Sequence, residues 1–383
     1  MDRPIYLDHQ ATTPLDPRVL DAMLPWLRDD FGNPANRSHA WGRRAWAAVE
    51  DAREQVAAAL GARASEIVFT SGATESNAIA LQGLARTRPG SHLVTTAIEH
   101  RSVLDTCRRL AREGWALTVL PVDRHGRADP QALVAALRPD TLLVSVMAAN
   151  NEIGTLQPLA EVAAATHAAG ALLHVDATQA IGRMPLDVQA LGIDALSMSA
   201  HKIHGPKGCG ALFLRRRPRR VEPQPLMEGG GQEGGLRPGT LNVPGIVGLG
   251  SACTIAVAER EAESARVRAL RDRLWARLAA GIDGLVLHGH PTLRLPGNLH
   301  LGIPDVEADA LLLALEGVAA SAAAACASGS TRPSHVLEAI GAAAPDTVRA
   351  ALRLGLGRFN TEPETDAAAD AIVRAVGRLR GAR

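Results

Sequence analysis

The sequence predicts an α/β protein: a large, mostly parallel sheet covered by helices on both faces, followed by a smaller α/β unit. Three observations carry this. From about Ala40 to Leu214, short apolar runs alternate with amphipathic stretches, the rhythm of strand–helix–strand crossovers. After Met227 that rhythm breaks at Glu228-Gly229-Gly230-Gly231-Gln232-Glu233-Gly234-Gly235, a stretch too rich in glycine for helix or strand and therefore a loop. A long helix from about Ile246 to Ala280 then bridges to a remainder with strand runs of its own.

Taken in order, Ala40 to Leu60 is an amphipathic helix stopped by Gly61. Glu66 to Thr70 is a short strand, and a helix starts at Thr74. Further strands are expected at His92–Thr96, Ala116–Leu120, Leu142–Met147, Ala171–Val175, Ala195–Met198 and Gly210–Leu214. Helices over Ser102–Arg112, Pro130–Leu137 and Leu159–Ala169 connect them. The smaller unit has strands near Leu285–His288, Asn298–Gly302 and Ala351–Leu356.

Composition excludes several classes of function. A chain of 383 residues with 46% hydrophobic and 21% charged residues is an ordinary globular protein with a large core. A formal net charge of +1 gives no reason to expect nucleic acid or a membrane surface as partner. The local basic cluster Arg215-Arg216-Arg217-Pro218-Arg219-Arg220 reads as a solvated loop, or else as a docking patch for an acidic protein. No apolar run approaches the ~20 residues of a membrane span, and the amino terminus does not read as a signal peptide. Cys107, Cys209, Cys253 and Cys326 lack metal or redox spacing. Their scatter suggests a reducing cytoplasm.

The chemistry begins with two strand ends. His174-Val175-Asp176 ends an apolar run on a carboxylate, and Ser197-Met198-Ser199-Ala200-His201-Lys202 ends the next on an amine. That pair suits pyridoxal phosphate: the lysine forms a Schiff base with its aldehyde, while the aspartate keeps the ring nitrogen protonated. A strand-end salt bridge is the plain alternative. Thr70-Ser71-Gly72-Ala73-Thr74-Glu75-Ser76, between strand and helix, can bring backbone amides to a phosphate or can simply cap the helix. Arg237-Pro238-Gly239-Thr240 closes the glycine-rich loop and offers a hydroxyl to the same phosphate. His100 follows a strand and can lie over a ring and shuttle protons, or sit on the surface. Asn150, at another strand end, can hydrogen-bond a ring hydroxyl or serve only a turn. Arg353 is a charge amid an apolar strand, costly unless paired, and the carboxylate of an amino-acid substrate would pair with it. Cys326, in Ser321-Ala322-Ala323-Ala324-Ala325-Cys326-Ala327-Ser328, has only tiny neighbours, which suits a thiol on a mobile loop or an alanine-rich helix.

Together these motifs resemble group I cysteine desulfurases, the NifS/IscS-like branch of the class V aminotransferase superfamily. The resemblance runs from Tyr6-Leu7-Asp8-His9-Gln10-Ala11-Thr12-Thr13-Pro14 to Leu356-Gly357-Arg358-Phe359. It includes Asn150-Asn151-Glu152-Ile153-Gly154 and His201-Lys202-Ile203-His204-Gly205-Pro206-Lys207-Gly208. It implies a fold type I pyridoxal-phosphate transferase. Residues 14–258 would form the large cofactor-binding domain, and residues 1–13 with 259–383 the small one. Lys202 would carry the cofactor, Asp176 would pair with its ring nitrogen, and His100 would stack on the ring. Gln179 and Asn150 would contact the ring oxygen, with Asn150 also near substrate. Ala73, Thr74, Ser199 and His201 would hold the phosphate. Thr240 would reach the phosphate of a neighbouring subunit, implying a homodimer. Arg353 would hold the carboxylate of L-cysteine, and Cys326 would take its sulfur as a persulfide for an acceptor protein, either an iron–sulfur scaffold or a thiolation enzyme.

Two departures from the family pattern stand out. Ala322-Ala323-Ala324-Ala325 replaces the usual serine and glycine before the cysteine, which favours helix. The chain also stops at Arg383, short of the tail some members use to dock a scaffold. The rival expectations are therefore another reaction on the same cofactor, such as selenocysteine lyase or aminotransferase activity, and a weakly active homologue that acts as a binding partner.

Overall fold

The computed structural model describes residues 3–322, 334–342 and 351–381. Its strands are β1 (Ile5–Tyr6), β2 (Ile67–Thr70), β3 (His92–Thr96), β4 (Ala116–Leu120), β5 (Thr141–Met147), β6 (Leu172–Asp176), β7 (Ala195–Ser199), β8 (Gly210–Leu214), β9 (Val286–Leu287), β10 (Asn298–Gly302), β11 (Val318–Ala319), β12 (Ser321–Ala322) and β13 (Ala351–Gly355). Seven of them form the large sheet, in the order β2-β8-β7-β6-β5-β3-β4. All its neighbours pair in parallel except at β8, which runs antiparallel to both β2 and β7. Its central strands are buried along their whole length, as a sheet covered on both faces requires. One core lies between this sheet and the helices Ala40–Leu60 and Val243–Gly281, and a second lies on the opposite face around Leu81, Leu93 and Leu212.

The helix Ala40–Leu60 ends as expected at Gly61, whose left-handed backbone (φ 66) makes the stop. The glycine-rich stretch contains a 3-10 turn, Gln232–Gly235. Glu233 in that turn reaches back to pair with Arg53 at 2.7 Å. The expected long helix spans Val243–Gly281. Its Ile246, Leu249 and Ala256 pack in the first core, whereas Val267, Leu274 and Leu278 pack in a separate core with β10, β13 and the helix Glu362–Gly381. We propose the domain boundary, 258/259, within that interval.

One expectation is corrected. Arg215 is not part of a solvated loop: it is buried, donates to the carbonyls of Ile193 (2.9 Å) and Val188 (2.5 Å), and lies 3.5 Å from Asp194. The solvated part of the basic cluster begins at Arg216.

Candidate active site

In a mostly parallel sheet the crevice lies beyond the carboxyl ends of the strands. β6 ends there on Asp176, β7 on Ser199 followed by the turn Ala200–Lys202, β5 on Met147, and β2 on Thr70. These ends open on a cavity of about 640 Å³, within the range of small-molecule sites. Ala73, Thr74, His100, Asp176, Gln179, Ser199, His201, Lys202 and Arg353, nine of the residues singled out above, line it.

At one wall Asp176, only 5% exposed, accepts hydrogen bonds from the Asn77 amide (2.8 Å) and the Thr178 backbone N–H (3.0 Å). Lys202 Nζ donates to the carbonyls of Gln10 (2.6 Å) and Ala11 (2.7 Å). His201 Nδ1 sits 3.1 Å from Thr12 Oγ1, and Thr13 Oγ1 donates to the His201 carbonyl at 2.9 Å. Burial, then the charges of Lys202 and Lys207, lower the His201 pKa to about 4. His100 caps the helix Arg101–Arg112: its Nδ1 accepts from the Ser102 N–H at 3.1 Å. A backbone N–H can only donate, so the neutral ring carries its proton on Nε2. Desolvation by the surrounding groups lowers the His100 pKa, although the side chain is exposed.

The phosphate end is built from close backbone contacts. Gly72 adopts φ 150, a conformation that suits glycine. A Cβ on Gly210 would lie 2.6 Å from Gly72 Cα, so the strand end approaches the turn more closely than any side chain permits. Glu75 accepts from the Ser71 N–H (2.5 Å) and from Arg237 (2.9 Å), tying the glycine-rich stretch to this turn. Burial opposes ionisation of Glu75, but Arg237 and Ser71 outweigh it and its pKa falls. An amine, a buried carboxylate at a wall, and a small-residue turn beside Lys207 match the donor set that pyridoxal phosphate needs.

Not every expected residue joins the cavity. Asn150 is fully buried away from it: its amide donates to the Ile98 carbonyl (2.9 Å), and its oxygen accepts from the N–H groups of Glu152 (2.8 Å) and Ile153 (2.9 Å). The turn uses up its hydrogen bonds, and the cavity is lined instead by its neighbour, Asn151. Thr240 is exposed and outside the cavity. Cys326 lies outside the described residues. Arg353 is 2% exposed and already paired, with Asp8 at 2.9 Å and the Asn151 carbonyl at 3.1 Å. The other cysteines, Cys107, Cys209 and Cys253, are buried and unpaired, and burial pushes the first two thiols up to about 12. Reading by strand ends missed Gln10–Thr12, because the chain start reaches the site only through tertiary packing. It also missed Asn77, which immediately follows the small-residue motif.

Comparison with known proteins agrees with this geometry. The model of the class-V aminotransferase family matches residues 5–367. The chain is 51% identical to the cysteine desulfurase IscS of Anaeromyxobacter sp. strain Fw109-5, over 99% of this chain and 94% of that one. It is 49% identical to the Homo sapiens cysteine desulfurase, over 99% of this chain and 83% of the relative. Among solved structures, a NifS-like protein superposes with a TM-score of 0.91 at 38% identity, covering 98% of this chain and 100% of that one. SspA in complex with cysteine superposes with a TM-score of 0.82 at 36% identity, over 93% of this chain and 99% of SspA. The chain therefore belongs to the class-V aminotransferase family, with cysteine desulfurases among its relatives along nearly its whole length.

Proposed function

We propose that this cavity converts L-cysteine to L-alanine and leaves the sulfur as a persulfide on Cys326. The enzyme is a pyridoxal-phosphate-dependent cysteine desulfurase, as its full-length similarity to such enzymes supports. The observation that carries the reading is the convergence of Lys202, Asp176, His100 and Arg353 on one cavity. Bound there, the cofactor supplies an electron sink for the substrate's α-carbon. Lys202 would be the amine for its aldehyde, and Asp176, held in place by Asn77 and Thr178, would pair with the ring nitrogen. Ala73, Thr74, Ser199 and His201 would hold the phosphate, while Gln179 and Asn151 would face the ring oxygen and the substrate. His100, neutral with its proton on Nε2, moves protons at the substrate. Arg353 takes the substrate carboxylate in two parallel hydrogen bonds.

The reaction balances without outside help. The carbon–sulfur bond of cysteine breaks, a sulfur–sulfur bond forms on the enzyme thiol, and carbon takes the electron pair and a proton. Chain geometry supports Cys326 as the thiol. Ser321 and Ala322 pair with Arg353 and Leu352 of β13, and Cys326 follows four residues later. At 3.3–3.6 Å per residue its reach from Ala322 is roughly 14 Å. The exposed Thr240 and the exposed, stacked pair Phe31 and Trp41 support a homodimer. No helix among the described residues is long and apolar enough to cross a membrane. The unpaired cysteines support a reducing, cytoplasmic setting. The sulfur acceptor is a protein, either an iron–sulfur scaffold or a thiolation enzyme.

Incubation of the cofactor-loaded protein with cysteine tests this by intact and peptide mass. One added sulfur on the Cys326 peptide, with equimolar alanine, is expected. In Cys326→Ser, cysteine still changes the cofactor's absorption while alanine falls to background. Normal alanine formation by that variant would overturn the desulfurase mechanism in favour of a lyase.

A further inference from the structure

Behind the cavity, Arg183 makes contacts that the chemistry above does not use. Its Nη1 donates to Gln179 Oε1 at 2.7 Å and to the Gln179 carbonyl at 3.3 Å. Its Nη2 donates to the carbonyls of Lys202 (3.0 Å) and His9 (3.3 Å). Every acceptor in this set is neutral. Among the described residues no carboxylate lies within ion-pair distance of Arg183, and Glu263, the acidic group that bears on it, is held by Arg358 at 2.7 Å. Burial accordingly lowers the Arg183 pKa to about 10, which leaves it charged at neutral pH. The titratable groups around it are His9 from the chain start, His204 beyond the lysine turn, and Glu263 from the long helix. Burial holds the two histidines neutral, His9 at about 4 and His204 at about 3. A cation placed among carbonyl oxygens without a partner carboxylate is costly to keep, and its contacts converge on two residues of the cofactor site.

The chemistry of those contacts settles an orientation. A guanidinium has donors only, so the Gln179 atom facing it must be the oxygen. The amide nitrogen is thereby turned to the other side, where it donates to the Gln10 carbonyl at 2.9 Å. That nitrogen has a second N–H, and Gln179 lines the cavity. The Gln10 carbonyl is also an acceptor for Lys202 Nζ, so one network joins the arginine, the glutamine and the lysine.

We propose that Arg183 is a positioning residue: it locks the Gln179 amide with its nitrogen toward the cavity and polarises it, so that Gln179 donates to the cofactor's ring oxygen and holds that oxygen as an anion. The proposal rests on the assignment of Gln179 to the ring oxygen. Without Arg183 the Gln10 carbonyl alone holds the amide against turning its oxygen toward the ring, where it would repel the anion. A charged donor behind an amide strengthens the hydrogen bond the amide makes in front.

The test is a pH titration of the visible absorption of the cofactor-loaded protein, with cofactor content measured in each variant. Arg183→Met is expected to raise the midpoint by about one unit, a tenfold change in proton affinity. Arg183→Lys, which keeps the charge but cannot reach both sets of acceptors, raises it by less and keeps the network's charge where the methionine variant fails to fold. In a Gln179→Leu background the shift from Arg183→Met disappears, because the arginine acts through the amide. A fully loaded Arg183→Met or Arg183→Lys variant with the wild-type midpoint overturns the proposal. So does an equal shift in the Gln179→Leu background, which would mark a through-space charge effect. Wild-type protein that takes up no pyridoxal phosphate overturns the site assignment and the proposal together.

Discussion

Arg353 illustrates how a buried charge is kept available for a ligand. It stands in β13 at 2% exposure, opposite His300 of β10, and Asp8 from the chain start holds it at 2.9 Å. An arginine alone in that strand would be too costly, so the protein supplies a carboxylate where the sequence suggested the substrate would. A guanidinium has five N–H donors, and a second carboxylate can share it. In cofactor-loaded protein, Arg353→Ala should raise KM for cysteine at least tenfold, since a hydrogen bond to a charged group is worth about 1.5–3 kcal/mol. Cofactor affinity should stay within about twofold; equal losses of both would mark Arg353 as structural. The cysteines separate as sharply. Cys107 and Cys209 are held near 12 by burial, and Cys253 is pushed up for the same reason, so none supplies thiolate at neutral pH. Serine at any of these positions should leave alanine formation unchanged, as an amino-acid assay would read.

At the scale of elements, the site depends on where strands stop and on how the next turn is made. β6 and β7 end on polar residues in the middle of a buried sheet, and the chain then turns at once toward the cavity. The turn after β2 depends on Gly72, whose φ of 150 brings the chain beneath Ser199 and against Gly210. Gly72→Ala puts a side chain where the backbone conformation disfavours one, a strain of about 1–3 kcal/mol. The expected outcome is weaker retention of pyridoxal phosphate, at least fivefold by equilibrium dialysis, with cysteine affinity of the loaded fraction unchanged. Full retention would show that the turn does not hold the phosphate.

For the whole molecule, buried titratable groups set an optimum of stability. Burial pushes Glu99 up to about 8 and Glu152 to about 7, from an ordinary 4.5. The folded chain therefore keeps protons that the unfolded chain releases, and this stabilisation is lost as pH rises from 4.5 to 8. Burial pushes His9, His174 and His288 down to about 4 and His204 to about 3, from 6.5. Here the unfolded chain binds the protons, so stability is lost as pH falls below 6.5. Between 4.5 and 6.5 the four histidines outweigh the two acids; above 6.5 only the acids act. Melting temperature of the loaded protein should peak near pH 6.5 and decline toward pH 8, and Glu99→Gln should flatten the decline. A melting temperature that climbs steadily to pH 8 would contradict this balance.

The sequence by itself determined the alternation of elements, the family resemblance and most of the cavity. His92–Thr96, Gly210–Leu214 and Asn298–Gly302 are strands with the very bounds expected of them, because strands buried on both faces are written as runs of mostly apolar residues; Ala116–Leu120, at the partly exposed sheet edge, also keeps its expected bounds. Lys202 and Asp176 were legible for a similar local reason, as charged residues ending such runs. The tertiary structure alone decided the rest. It chose Asn151 over Asn150, since two adjacent asparagines look alike in sequence and only the turn's hydrogen bonds show which side chain is occupied. It paired Arg353 with Asp8, 345 positions away, and set Arg183 behind Gln179. Side-chain pairing over such separations leaves no periodic trace along the chain, because it depends on how the elements pack and not on how they are spelled.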